Sequence, residues 1–213
     1  METSQNADKG EKSKELSNKE KSKKAEELFQ KYLNTLNIPF YYIDQSIEKI
    51  SKEMRIENIR RPDYIVHTKN FVYYIDVKYR TKQPFGPKNE TRFYLNQDEI
   101  NELNNFQIKL NSNVWVAFTD NTETPDFFFA PISKIYEFYL FIQNEIKNNH
   151  SDMFEYFTFC YICIPDTLLY NRFSFENGFY NEPIISFPNI EVNYHIDNMI
   201  NVFKAESWKY FKK

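Results

Sequence analysis

The chain has 213 residues, of which 39 are aromatic (Phe 21, Tyr 16, Trp 2) and only 3 are glycine, a length that suits one domain with a substantial core. Gly10, Gly86 and Gly178 stand too far apart to write a phosphate-cradling GxxxxGKS/T loop or a GxGxxG turn, which excludes P-loop and dinucleotide-binding readings. A net charge of −3 does not announce a nucleic-acid partner, so any basic surface must be local.

Residues 1–24 carry seven lysines against five acids, with Leu16 the one large aliphatic residue after Met1. So little apolar surface cannot offset the entropy of ordering, and a disordered charged tail is expected. From Ala25 the pattern changes: Ala25, Leu28, Phe29, Tyr32, Leu33 and Leu36 recur at helical spacing up to Asn37 and Pro39. Residues 40–43 follow as a short strand, and 44–61 as a polar stretch holding Lys49, Lys52, Arg55, Arg60 and Arg61. After Pro62, two strand-like runs at 64–67 and 71–79 flank a Thr-Lys-Asn turn, and a loop spans 80–95 with Pro84, Gly86 and Pro87. Asn96 with Glu99 three residues on forms a variant capping box and starts a helix to about Asn111. The apolar run 114–118 has the length of a buried strand.

The order to this point is α-β-β-β-α-β. Beyond it the sequence predicts a strand at 127–130, a helix at 132–147, a strand at 157–164 and an amphipathic helix at 195–211. There is no internal repeat and no linker after residue 24, so 25–213 reads as a single α/β domain with its core in 25–119 and a C-terminal α+β extension in 120–213. No apolar run approaches the ~20 residues of a membrane span, the N-terminus lacks a signal-peptide core, and Cys160 and Cys163 cannot frame a disulfide scaffold. A cytoplasmic protein is expected.

The chemistry-bearing segment is Arg61-Pro62-Asp63 followed by Asp76-Val77-Lys78. Pro62 lacks a ladder donor and belongs at the start of its strand. Asp76 and Lys78, two apart on the next strand, share a face. A turn at Lys69-Asn70 sets Ile65 opposite Tyr74, His67 opposite Val72 and Asp63 opposite Asp76. Opposed side chains lie ~4.5–5.5 Å apart at Cβ, and like charges there are destabilising. Two such carboxylates in an apolar hairpin require a shared proton or a divalent cation, and an all-oxygen set completed by water and phosphate suits Mg²⁺. Lys78 adds positive charge where an attacking water or developing phosphorane oxygen would sit. On the first helix Glu26 falls about 90° from the centre of the apolar stripe, at 100° per residue, and leans toward the aspartates, whereas Glu27 points to water. The competing reading makes Asp63 a turn residue, Asp76 and Lys78 a surface ion pair, and Glu26 a solvated helix-edge acid.

Pro62-Asp63 and Asp76-Val77-Lys78, with a preceding helical Glu and the α-β-β-β-α-β order, resemble the PD-(D/E)XK nuclease superfamily over residues 25–119, about half the chain. The resemblance implies a restriction-endonuclease-like core with a mixed central sheet flanked by helices, in a nuclease-like domain. It implies Asp63 and Asp76 as ligands of Mg²⁺ (or Mn²⁺), with Glu26 and the Val77 carbonyl as further ligands and Lys78 as the catalytic lysine. It also places a polar residue of the second helix toward the site, and Gln107, among Ile100, Leu103 and Leu110, fits. The implied activity is metal-dependent hydrolysis of nucleic-acid phosphodiester bonds, with DNA the expected substrate and, by analogy only, repair, restriction or defence as its setting. The alternative is a catalytically inactive nucleic-acid-binding or protein-assembly module on the same fold.

Within the 80–95 segment, Arg80, Lys82, Lys88 and Arg92 stand against the single acid Glu90, with Phe85, Phe93 and Tyr94 interleaved. Such a loop could grip backbone phosphates and pack a ring on a base or sugar, or simply be solvated. Arg60 and Arg61 are further phosphate candidates. Cys160 and Cys163 fall in a strand-like run that points their thiols to opposite faces, so core cysteines are expected rather than a zinc or redox pair. His67, His150 and His195 show no ligand spacing, although the hairpin register places His67 on the face of Asp63. The aromatic wealth of 120–213 is expected as core or as a homodimer face.

Overall fold

The computed structural model describes residues 17–46, 50–68, 71–85, 90–124, 126–149, 161–164 and 168–169. Its first helix, α1 (Asn18–Thr35), begins inside the segment expected as a tail. The cause is local and visible in the sequence. Ser17 accepts from the Glu20 amide while the Glu20 carboxylate accepts from the Ser17 amide at 2.7 Å, a reciprocal capping box. Residues 18–24 are thus helical without burying much. The helix packs through Ala25, Leu28, Phe29 and Leu33, whereas Leu36 serves as the C-cap and is exposed.

Strand β1 (Phe40–Tyr42) follows, then the short helix α2 (Lys52–Ile56) within the polar stretch 44–61. Strands β2 (Tyr64–His67) and β3 (Val72–Tyr79) form the expected hairpin. The 80–95 segment is more ordered than a loop: β4 (Gln83–Phe85) pairs antiparallel with β5 (Glu90–Arg92), and β6 (Tyr94–Asn96) pairs with β9 (Tyr161–Cys163). Helix α3 (Gln97–Leu110) starts at the Asn96–Glu99 capping box and ends at Asn111, whose φ of 45° is the left-handed cap asparagine tolerates. Then come β7 (Asn113–Thr119), β8 (Phe128–Pro131) and α4 (Ile132–Asn149). The strand expected at 157–164 is β9 over its last residues. The helix expected at 195–211, with Cys160, His150 and His195, lies outside the described residues.

The central sheet has the order β1-β2-β3-β7-β8 and is mixed: β3 and β7 run parallel through the α3 crossover, and the other pairs are antiparallel. This mixed α/β architecture, with helices on both faces, is consistent with a restriction-endonuclease-like core. Each face has its own apolar cluster. Tyr64, Val66, Tyr73, Ile75, Val77, Trp115 and Ala117 meet α1 on one side. Val114, Val116 and Phe118 meet α3 and α4 on the other. That is why β7 reads as an unbroken apolar run: both its faces are covered. Among the described residues no helix is long and apolar enough to cross a membrane.

Phe93, which the sequence offers as a ring for a base or sugar, is a core residue. It is fully buried and stacked on Phe118 at 5.1 Å between centroids. Its neighbour Tyr94 opens β6, and the Phe93 carbonyl accepts from the Ile164 amide at 2.8 Å. Phe93→Ala should therefore cost about 3–5 kcal/mol of stability by urea denaturation, an effect a solvent-facing ring would not show.

Candidate active site

Strands β2 and β3 pair with Ile65 opposite Tyr74 and His67 opposite Val72, the register expected from the sequence. Continued one residue past the start of β2, it brings Asp63 opposite Asp76. The ladder stops there because residue 62 is proline. The Val77 amide instead donates to Asp63 Oδ2 at 2.7 Å, the Pro62 carbonyl accepts from Gln45 Nε2 at 3.0 Å, and the Asp63 carbonyl accepts from the Ile43 amide at 2.7 Å. The Asp63 carboxylate is thus fastened by the backbone of the strand that carries Asp76.

Asp76 and Lys78 leave β3 on the same face as Tyr74, which packs in the α3 cluster. All three of Asp63, Asp76 and Lys78 are buried, so Asp76 and Lys78 are not a surface ion pair. Lys78 Nζ pairs with Asp76 Oδ2 and stands 3.7 Å from Glu99 Oε1. Arg60 Nε faces Asp76 Oδ1 at 3.6 Å, and Arg80 donates to Glu99 Oε1 at 2.6 Å. Three acids (Asp63, Asp76, Glu99) and three cations (Arg60, Lys78, Arg80) therefore share one site.

The electrostatics follow from this crowding. Burial and, next, the neighbouring charge of Asp76 push Asp63 from an ordinary 3.8 up to about 7, against the opposing pull of Lys78 and the Val77 amide. Glu26 is also raised, chiefly by burial. Burial alone would raise Glu99 too, but Lys78 and Arg80 outweigh it and hold it below the usual glutamate range. Arg60 is raised despite burial, by Asp76 and then Glu99.

Glu26 is half-buried on α1, which covers the opposite face of the sheet, whereas Glu27 is exposed. Glu26 accepts from the Tyr42 hydroxyl at 3.5 Å and comes near enough for Asp76 and Lys78 to shift its titration. It borders the acid pair from the edge of the sheet. Among the described residues no three His, Cys, Asp or Glu side chains are grouped so as to hold an ion by themselves. The donor set nonetheless suits a hard divalent ion. Asp76 is shut off from solvent; Lys78 Nζ takes its Oδ2, while Oδ1 has no hydrogen-bond partner, Arg60 Nε standing 3.6 Å away. Two carboxylates and a backbone carbonyl with water and phosphate oxygens make a set of the kind Mg²⁺ takes.

Gln107 requires correction. Its Oε1 accepts from the Val114 amide at 3.3 Å and its carbonyl from the Ser112 amide at 3.0 Å, which ties it to the α3–β7 turn. Since α3 runs back along the sheet to the start of β7, its C-terminal end lies by Asn113 and Val114. Asp76 and Lys78 pair further along, with Val116 and Phe118. The polar position of α3 at the acids is Glu99, which the sequence assigns only to the helix cap; its spacing from Asn96 hid its second role. Leu110, grouped with Gln107 on the apolar stripe, is exposed, as is Ile108.

The basic residues are placed unevenly. Arg61 Nη2 donates to the Ser46 carbonyl at 3.1 Å. Arg80 donates to the Tyr79 carbonyl and lies over the Tyr94 ring, besides its Glu99 bond. Lys82 sits 4.5 Å from the centroid of Phe128 and 3.9 Å from Asp120. Arg92 belongs to β5, and Lys88 lies outside the described residues. His67 packs edge-on to Tyr41 at 5.6 Å.

No family model matches the chain, and a comparison with curated proteins gives no match. Among solved structures, the chain is similar to Hjc, a Holliday junction resolvase of Archaeoglobus fulgidus, at 17% identity over 52% of this chain and 77% of that one, with a TM-score of 0.37.

The raised Asp63 carries a stability signature. The folded protein keeps its proton up to about pH 7 while an unfolded aspartate releases it near 3.8, so the unfolded chain binds fewer protons in that window and stability falls as pH rises through it. Asp63→Asn, whose amide oxygen can still accept from Val77, should stabilise the metal-free protein on the order of 2 kcal/mol at alkaline pH and scarcely at all in acid, as read by urea denaturation.

Proposed function

We propose that this protein is a divalent-metal-dependent nuclease that hydrolyses phosphodiester bonds of DNA. The observation that supports it is the pair of buried carboxylates, Asp63 and Asp76, facing each other beside a buried lysine on one sheet face. No ordinary structural purpose is served by this arrangement. Burying two like charges is costly unless a cation or proton joins them, and Lys78 offsets only part of it, since Asp63 still sits near neutral in its titration.

Asp63, Asp76 and the Val77 carbonyl would hold the ion, with Glu26 at its border. Bound there, Mg²⁺ or Mn²⁺ would generate a nucleophilic water near neutral pH and stabilise charge on the phosphate. Lys78 places a fixed positive charge where the attacking water is oriented and where negative charge builds at phosphorus. Glu99 and Asp76 hold that ammonium from two sides, so it does not swing out to solvent. The Val77 amide, by binding Asp63 Oδ2, fixes the rotamer of one ligand without using a side chain. Burial keeps these groups in low dielectric, where each is worth more than in water.

The test is cleavage by the purified protein with Mg²⁺ or Mn²⁺ on single-stranded, duplex and branched DNA, with RNA as the contrasting substrate. Asp76→Ala and Lys78→Ala should each lower the cleavage rate at least about 100-fold while DNA binding persists. A preparation that cleaves none of these, or whose activity survives Asp76→Ala, would return the protein to the class of non-catalytic modules.

A further inference from the structure

Of the three cations at the acidic site, Arg60 is held differently from the others. Lys78 is buried against Asp76, and Arg80 is hydrogen-bonded to Glu99 and to the Tyr79 carbonyl. Arg60 precedes the Arg61-Pro62-Asp63 turn, outside any strand, with its amide reaching the Glu102 carbonyl of α3 at 3.5 Å. Its guanidinium stands 3.6 Å from Asp76 Oδ1 and 3.9 Å from Glu99 Oε1, both beyond hydrogen-bond length. Its side chain is 39% exposed where that of Asp76 is 0%. It is a through-space counter-charge that reaches from solvent to the one oxygen of Asp76 that Lys78 leaves.

We propose, resting on the metal-dependent reading above, that Arg60 competes with the divalent ion for Asp76 and, once displaced, becomes the residue that grips the substrate phosphate. Two like charges cannot share Asp76 Oδ1 at such separations without strong repulsion. Metal entry therefore drives the guanidinium off Asp76 toward the solvent side, with Glu99 left as its tether. There its planar fork of donors matches the non-bridging oxygens of a phosphodiester, which a lysine ammonium matches less well. One residue thus has two opposed effects, weakening metal affinity in the free protein and strengthening the hold on DNA in the loaded one.

The opposition makes the idea testable. Arg60→Gln should bind Mn²⁺ more tightly by about fivefold or more in calorimetric titration without DNA. On whichever DNA of the panel the wild type cleaves, it should raise the half-saturating concentration by about tenfold. Arg60→Lys should keep Mn²⁺ affinity near wild type, because the charge remains, while its DNA half-saturation stays raised. A purely structural role would weaken both properties together. Unchanged or weaker Mn²⁺ binding by Arg60→Gln overturns this inference and leaves the nuclease reading standing. Absence of Mn²⁺ binding by the wild type overturns both. Should Arg60→Gln fail to fold by circular dichroism, wild-type DNA half-saturation in Arg60→Lys overturns the proposal by itself.

Discussion

A fully buried carboxylate on the central strand of a five-stranded sheet is the constraint around which this molecule is arranged. Asp76 has no solvent to stabilise its charge, and its Oδ1 has no hydrogen-bond donor. Cations must answer it, and they arrive from three directions: Lys78 from the same strand, Arg60 from the turn before β2, and Arg80 through the shared anion Glu99. A charge this deep is not retained for stability, since an apolar residue would serve the sheet better.

Glu99 shows how economically the site is supported. One oxygen of its carboxylate bonds the Asn96 amide to start α3, and the other takes Arg80 and faces Lys78. The first turn of the helix and the electrostatic frame of the acids are therefore one structure. The helix that closes the apolar face also delivers the anion that keeps the lysine in place. Covering both sheet faces matters for the same reason: it keeps Asp63, Asp76 and Lys78 buried while Arg60 and Tyr42 keep side-chain exposure.

Much of this was legible in the residues. The alternation of 64–67 and 71–79 specified a hairpin, and the register expected for it is the one observed at Ile65–Tyr74 and His67–Val72. A slip by one residue would have turned every core side chain to the wrong face, so the register was strongly determined. The unbroken apolar run of β7 announced a strand covered on both sides, and Asn96 with Glu99 announced the start of α3. The capping box at Ser17 was equally readable, but composition concealed it: a lysine-rich segment without apolar residues reads as a tail, and a cap is a matter of two residues.

What the sequence by itself determined was the β2–β3 hairpin, with Ile65 opposite Tyr74 and His67 opposite Val72, and the doubly covered strand β7, because strand periodicity is local. Only the tertiary structure decided which partners reach Asp63 and Asp76 from afar. Glu99 and not Gln107 stands beside Lys78 because the direction of α3 along β7, a long-range matter, sets which end of the helix meets the acids. Phe93 turned inward and Arg80 was drawn to Glu99 for a similar reason, since a segment that appears as a basic, aromatic loop acquires strand partners distant in sequence. Local pattern specifies what an element is; the packing of elements far apart in the chain specifies what its polar residues face.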